Sequence, residues 1–348
     1  MYAVTNHTYF AILVIQSAFS IALALIIFKI ASRIFDERVG LLAVAVVAFH
    51  PGFIYYDVFN LIPLSIDSFL IASITLLLLK HKDKPALLAM SLLGGLIGLG
   101  VLSRGITGVL LPLAIVYFAL LARSLTHQAR FKITVCLAGG ALIILAPWLI
   151  RNYLIHKQLV FISSNASENF WRGNNMHATG TSHNSRGVSI FKSWPDDFKE
   201  KVYSMTELQQ KSFFETEALS FIGNHPLTGL NLYVKKVFYF WWFSPQTGIV
   251  YPGIYLTLYK FMYMILFSFI IAGIGFALTS SGSGVRESSL ILIAVPVTIC
   301  LGQSLFFVEG RHRWLVEPIM IIFCSYGVVE CGKLLQRKWR VGAKESSP

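Results

Sequence analysis

Long apolar runs separated by short charged loops set the pattern of this chain. A bilayer core of roughly 30 Å needs about 20 apolar residues per helix. On that measure the apolar runs predict spans at 10–30, 39–56, 61–79, 86–102, 106–121, 133–150, 254–278, 290–307 and 314–329. The pattern breaks only once for long. From Arg151, in RNYLIHKQLVFISSNASENFWRGNN, the chain turns polar for about a hundred residues. Within that stretch, 174–186 is rich in Gly, Ser and Asn and reads as a mobile loop. Residues 207–222 carry apolar positions at helical spacing and read as an amphipathic helix that Pro226 ends. Residues 232–243, LYVKKVFYFWWF, set two lysines beside aromatic residues, as an interfacial helix does.

These elements predict an all-α polytopic membrane protein with about nine transmembrane helices and a mixed outer (periplasmic) segment between the sixth and seventh. The division is 1–150, an N-terminal bundle of six helices; 151–250, the outer segment; 251–332, three further helices; and 333–348, a basic tail. Composition agrees. The 348 residues are 55% hydrophobic and 13% charged, with mean hydropathy +0.65; soluble domains carry about 25% charged residues. Cys136, Cys300, Cys324 and Cys331 all lie in or at the ends of spans, so the outer segment has no disulfide framework.

The net charge of +12 would suggest nucleic acid in a soluble protein. Here the basic residues cluster in short loops, and no basic helix or aromatic platform supports nucleic-acid binding. Loops 32–38, 80–84, 123–132 and 279–289 and the tail after Gly332 all fall on one side. The positive-inside rule makes that side cytoplasmic. The N-terminus, the region of Asn60, Arg104, 151–250 and 309–313 then lie outside, and the C-terminus inside. MYAVTNHTYF lacks the basic region that opens a signal peptide.

Charges at or inside membrane helices are costly, and each one is a candidate for function. Asp57, in FIYYDVFN, reads as a solvated helix end or as a functional carboxylate. Asp67, in LIPLSIDSFL, reads as an acid favoured by the helix dipole or as a catalytic or metal-binding group. Arg104, Arg151, Arg311, His312 and Arg313 stand at helix ends on the side where the rule disfavours them. Each arginine alone could snorkel or cap carbonyls. As a set they suit an outward-facing anionic site, because guanidinium binds phosphate bidentately. His156, His177, His183 and His225 match no zinc signature. Asn165-Ala166-Ser167 is a glycosylation sequon, meaningful only in a eukaryotic lumen. No phosphate-cradling glycine motif of a soluble nucleotide site is present.

With these residues in place, the chain resembles the glycosyltransferase-C superfamily, in the branch of protein O-mannosyltransferases and the aminoarabinose transferase of lipid A. The stretches that carry the resemblance are IFDERVGLLAVAVVAFHPGFIYY, PLSIDSFLIA, GLIGLGVLSRGITGVLLPLA, APWLIRNY with FISSNASENFWRGNN, ALSFIGNHPLTGLNLYVKKVFYFWW, and GRHRWLVEPIMIIFCSYG. The resemblance implies transfer of a sugar from a polyprenyl-phosphate carrier to an acceptor on the non-cytoplasmic face. Asp67 would be the matching acid, with Asp57 as a second. Arg104, Arg151, Arg311 and Arg313 would hold the donor phosphate. Asn174, Asn175 and His312 would serve the acceptor side. No cofactor is certain and no metal ligand is assigned, though a divalent cation stays open. The expected partners are the lipid-linked donor, the bilayer and an unidentified acceptor, in a bacterial inner membrane. The family begins one helix and one acidic outer loop earlier, so an N-terminally truncated chain that lacks its main base is also expected. A transporter or flippase of an anionic lipid-linked substrate, and a non-catalytic pseudoenzyme, are the other readings.

Overall fold

In the computed structural model, residues 9–59, 62–121, 125–158, 160–190, 192–250 and 253–345 are described. The expectations for residues 1–8, for the Asn60 region and for the end of the tail lie outside them. The described chain is 81% helix, without strands, which bears out the all-α membrane class. Each of the nine expected spans falls on helix, but the count of nine is not reached on length. Among the described residues, six helices are long and apolar enough to cross a membrane. A seventh crossing arises if the pair Glu37–Ala48 and Pro51–Val58, bent by 48°, is one span. Leu87–Ser103 and Gly105–Leu120 are shorter apolar helices.

The chain forms two compact units. Unit 1 comprises Met1–Lys84, Thr257–Pro296 and Trp314–Pro348. Its helices are α1 (Tyr9–Ile34), α2 (Glu37–Ala48), α3 (Pro51–Phe59) and α4 (Leu64–His81). To these it adds most of α13 (Gly253–Thr279), the start of α14 (Ser283–Gln303), and α16 (Glu317–Glu345). Asp36 starts α2 by accepting the Val39 N–H at 2.9 Å. The break between α2 and α3 falls at Phe49-His50-Pro51, where proline fits a new first turn but could not continue the old helix. Helices α13 and α16 cross closely: a Cβ on Gly273 would stand 1.9 Å from the Phe323 carbonyl oxygen, and one on Gly327 would stand 2.3 Å from that of Phe269. Small residues are what allow membrane helices to approach so far.

Unit 2 comprises Pro85–Leu256 and Val297–Arg313. It begins with α5 (Leu87–Ser103), a 3₁₀ turn at Gly105–Val109, α6 (Leu110–Val116), a π turn at Tyr117–Leu121, and α7 (His127–His156). Helices α5 and α7 also meet through glycine. A Cβ on Gly94 would lie 2.0 Å from the Leu137 carbonyl oxygen, and one on Gly140 would lie 2.1 Å from that of Ser91.

The polar segment of unit 2 folds into α8 (Asn165–Gly173), α9 (Asp196–Tyr203), α10 (Glu207–Asn224), α11 (Pro226–Trp241) and the short α12 (Thr247–Val250), with α15 (Gly310–Trp314) following α14. Thr206 and Gln209 form a capping box at the start of α10. Trp171, Trp194, Phe198 and Phe214 pack as one aromatic core that joins α8, α9 and α10. The expected amphipathic helix is α10, and the expected interfacial helix is α11. Leu227, Leu230, Val234 and Phe238 form an exposed stripe along α11. The expected mobile loop 174–186 is instead tied down. Thr179 and Thr181 donate to the His183 carbonyl, and the Val308 N–H donates to Gly180 O at 2.9 Å. Its small polar residues satisfy backbone groups inside the fold rather than facing water.

Candidate functional site

In unit 1, four ionisable side chains are sunk among span helices. Asp67 is 1% exposed in the first turn of α4. Asp57 is 5% exposed and accepts the Ser20 hydroxyl. Burial overturns its reading as a solvated helix end. Beside them the structure adds a pair that the sequence did not single out. His50 accepts the Gly52 N–H on Nδ1 at 3.2 Å, which leaves the ring proton on Nε2. That nitrogen faces Glu317 Oε1 at 3.4 Å, and both side chains are buried. Phe53, Trp314 and Tyr259 surround the imidazole with ring centroids 5.3, 6.0 and 6.3 Å away. Trp314 in turn donates its indole N–H to the Tyr259 hydroxyl. Polar contacts continue along α1, where Gln16 donates to Tyr56 O at 3.2 Å and Ser65 donates to Gln16 O at 3.2 Å.

In unit 2, the basic residues divide. Arg311 pairs with Glu309 Oε2 at 2.9 Å, and Glu309 also accepts the Ser182 hydroxyl. His312 is buried and accepts the Glu309 N–H on Nδ1 at 3.1 Å. Burial first, then the charges of Arg104 and Arg311, hold its imidazole well below the usual histidine range. Arg104, Arg311 and His312 are therefore electrostatic neighbours. Arg172 joins them: it pairs with Glu168 at 2.6 Å, lies over the Phe307 ring at 5.9 Å, and feels both Glu309 and Arg311. Burial lowers its pKa and raises that of Glu168.

The other two arginines are engaged differently. Arg313 is 2% exposed, with its guanidinium 5.3 Å from the Phe243 ring centre. Arg151 is exposed on α7, where it lies 4.9 Å from the Trp148 ring centre and donates to Asn152 Oδ1 at 3.2 Å.

Asn174 and Asn175 are spent on the fold. Asn174 donates to Phe170 O and Leu305 O at 2.8 Å and accepts from Lys236 Nζ at 3.0 Å. Asn175 donates to Trp171 O at 2.8 Å and takes the His177 N–H on its Oδ1. Lys236 is fully buried and also donates to Gly173 O at 3.2 Å, and burial lowers its pKa to about 8.

Sequence reasoning missed His50, Glu317, Glu309, Arg172 and Lys236. Glu309 and Arg172 adjoin motifs already singled out, GRHRW and WRGNN, and charge in an apolar context could have marked them. Glu317 is likewise a charge in an apolar run, whereas His50 gave no signal by itself. Among the described residues, no group of three or more His, Cys, Asp or Glu stands where it could hold a metal ion. All four cysteines are free thiols.

Residues 1–150 match the family described as dolichyl-phosphate-mannose-protein mannosyltransferase. The match covers α1 to α6 and most of α7, including Asp57, Asp67 and Arg104. It supports the likeness to the glycosyltransferase-C superfamily and to membrane glycosyltransferases in general. No curated protein and no solved structure matched the chain.

Proposed function

We propose that this chain transfers a sugar from a polyprenyl-phosphate carrier to an acceptor hydroxyl, on the non-cytoplasmic face of a bacterial inner membrane. The observation that carries this reading is the family match over residues 1–150 together with two acids buried inside that stretch. A carboxylate in a span is costly and persists where it has work to do. The family is described by a dolichyl-phosphate mannose donor and a protein acceptor, which supports a lipid-phosphate leaving group here.

Asp67 is the base. Its carboxylate takes the acceptor proton as the oxygen attacks the anomeric carbon. The bond from that carbon to the phosphate oxygen breaks, and the electron pair leaves on the lipid phosphate. Asp57, the second buried acid of unit 1, accepts the Ser20 hydroxyl. Arg104 and Arg311, electrostatic neighbours in unit 2, have the chemistry to bind a lipid phosphate. Arg151 and Arg313 are engaged elsewhere in unit 2 and share only the guanidinium chemistry that suits phosphate. His312, kept neutral by its surroundings, positions the Glu309 backbone. Asn174 and Asn175 shape the acceptor side through the fold they secure.

The test is transfer of radiolabelled sugar from a polyprenyl-phosphate donor in membranes that contain the chain. Asp67→Asn should lower transfer about a hundredfold or more while donor binding persists. Arg311→Ala should weaken donor binding. Donor binding by a wild-type chain that shows no transfer would favour a carrier of lipid-linked anions instead.

A further inference from the structure

Unit 2 contains a cavity of about 290 Å³ built between the C-terminal end of α8 and one face of α10. Its size is near the lower end of small-ligand sites, about 300 Å³. Glu217, Ser220, Phe221 and Asn224 recur at helical spacing and present one face of α10 to it. Trp171 and Phe221 supply aromatic wall, and His225 packs 5.7 Å from the Phe221 ring.

The floor is rigid. Trp171 belongs to the aromatic core, stacked on Phe198 at 5.7 Å. Its backbone carbonyl is held by Asn175. The rim is polar and accessible, since Glu217, Ser220 and Asn224 are all exposed. Asn224 donates to the Ser220 hydroxyl at 3.2 Å. Glu217 has no ion-pair or hydrogen-bond partner among the described residues.

This chemistry narrows the ligand. No Lys or Arg is among the described residues that line the cavity, and its one carboxylate repels phosphates and acids. The apolar wall is too interrupted by polar groups for an acyl chain. A carboxylate, amides, a hydroxyl and imidazoles set between aromatic faces suit a ligand with many hydroxyls and an apolar ring face. Carboxylates accept strong charge-assisted bonds from hydroxyls. Amides and imidazoles both donate and accept, and an aromatic face covers C–H surface. We propose that this cavity binds a carbohydrate, and that the acceptor of the transfer reaction is a glycan. The second clause rests on the glycosyltransferase reading; the first does not.

The full chain in lipid nanodiscs is titrated with methyl mannoside, methyl glucoside, maltotriose and chitotriose, without any donor. Calorimetry and tryptophan fluorescence report binding. At least one sugar should bind saturably, with a Kd of roughly millimolar or below. Glu217→Gln and Asn224→Ala should each weaken that binding about tenfold and leave the unfolding midpoint unchanged. Three results would overturn the proposal: no saturable binding of any of the four sugars, binding unchanged in both variants, or Glu217-dependent binding of a Ser/Thr-rich peptide in their place. Sugar binding in a chain that fails to transfer removes only the enzymatic reading. Transfer without sugar binding removes only this one.

Discussion

Unit 1 buries its ionisable groups inside span helices, where Asp57 meets the Ser20 hydroxyl and His50 faces Glu317. Unit 2 places its charges around helix ends and in the polar segment, with partly buried pairs such as Arg311 with Glu309 and Arg172 with Glu168 beside the buried Lys236 and Arg313. The backbone solution is nevertheless the same in both: two helices drawn together through glycine, α13 with α16 and α5 with α7. The contrast therefore lies in the side chains. A scaffold of one kind carries buried acids among apolar helices in unit 1 and arginines around helix ends in unit 2.

The common backbone device is the place to strike hardest. Gly94→Val and Gly140→Leu should each cost several kcal/mol, because the new atoms would sit about 2 Å from carbonyl oxygens that cannot move aside. Gly273→Val should do the same in unit 1. Gly95→Ala, whose Cβ would lie 3.7 Å from Ile144, should change little. Unfolding midpoints in detergent measure all four. A tolerated Gly140→Leu would break the likeness between the two units.

The next largest effect separates the units. Glu317→Ala strips a buried histidine of its partner and should cost about 3 kcal/mol or more. Glu309→Ala opens a pair whose arginine is about a third exposed and should cost about 1 kcal/mol or less. Equal losses in thermal unfolding would erase the contrast between buried and half-exposed charge.

The smallest effect is a slope with pH, confined to unit 2. His312 is held below its ordinary value of 6.5 in the fold, so the unfolded chain binds the proton more readily. Its contribution is complete above about pH 6.5 and is lost as pH falls below it, by up to about 1.4 kcal/mol per pH unit. His312→Gln should flatten that part of the stability profile. An unchanged slope would mean that the imidazole is not kept neutral by its surroundings.

The helices were legible because lipid demands long apolar runs, and the loop charges gave a consistent sidedness to test. The number of crossings was less legible. Residues 39–56 read as one span, yet Pro51 forces a bend that hydropathy does not register. Asp67 could be named from sequence because a lone acid in LSIDSFL is conspicuous. His50 could not, and Glu317, though an acid inside the run 314–329, is so far from it in the chain that only the fold shows the pair. Asn174 and Asn175 looked available for a substrate because asparagine pairs favour loops. The fold instead turns their amides inward to satisfy carbonyls at the end of α8 and beyond α14.

The His50–Glu317 pair also bears on the order in which the protein is made. Unit 2 draws most of its residues from one continuous stretch, 85–256, whereas unit 1 needs the beginning of the chain and α16 together. During synthesis His50 enters the membrane long before Glu317 leaves the ribosome. Until then the kink between α2 and α3 carries an imidazole with no carboxylate to meet it. Unit 1 is thus a structure completed late in biogenesis, and its first helices must be sheltered in the meantime, by the insertion machinery or by lipid headgroups. Arrest of translation before α16 should leave those helices inserted but easily extracted.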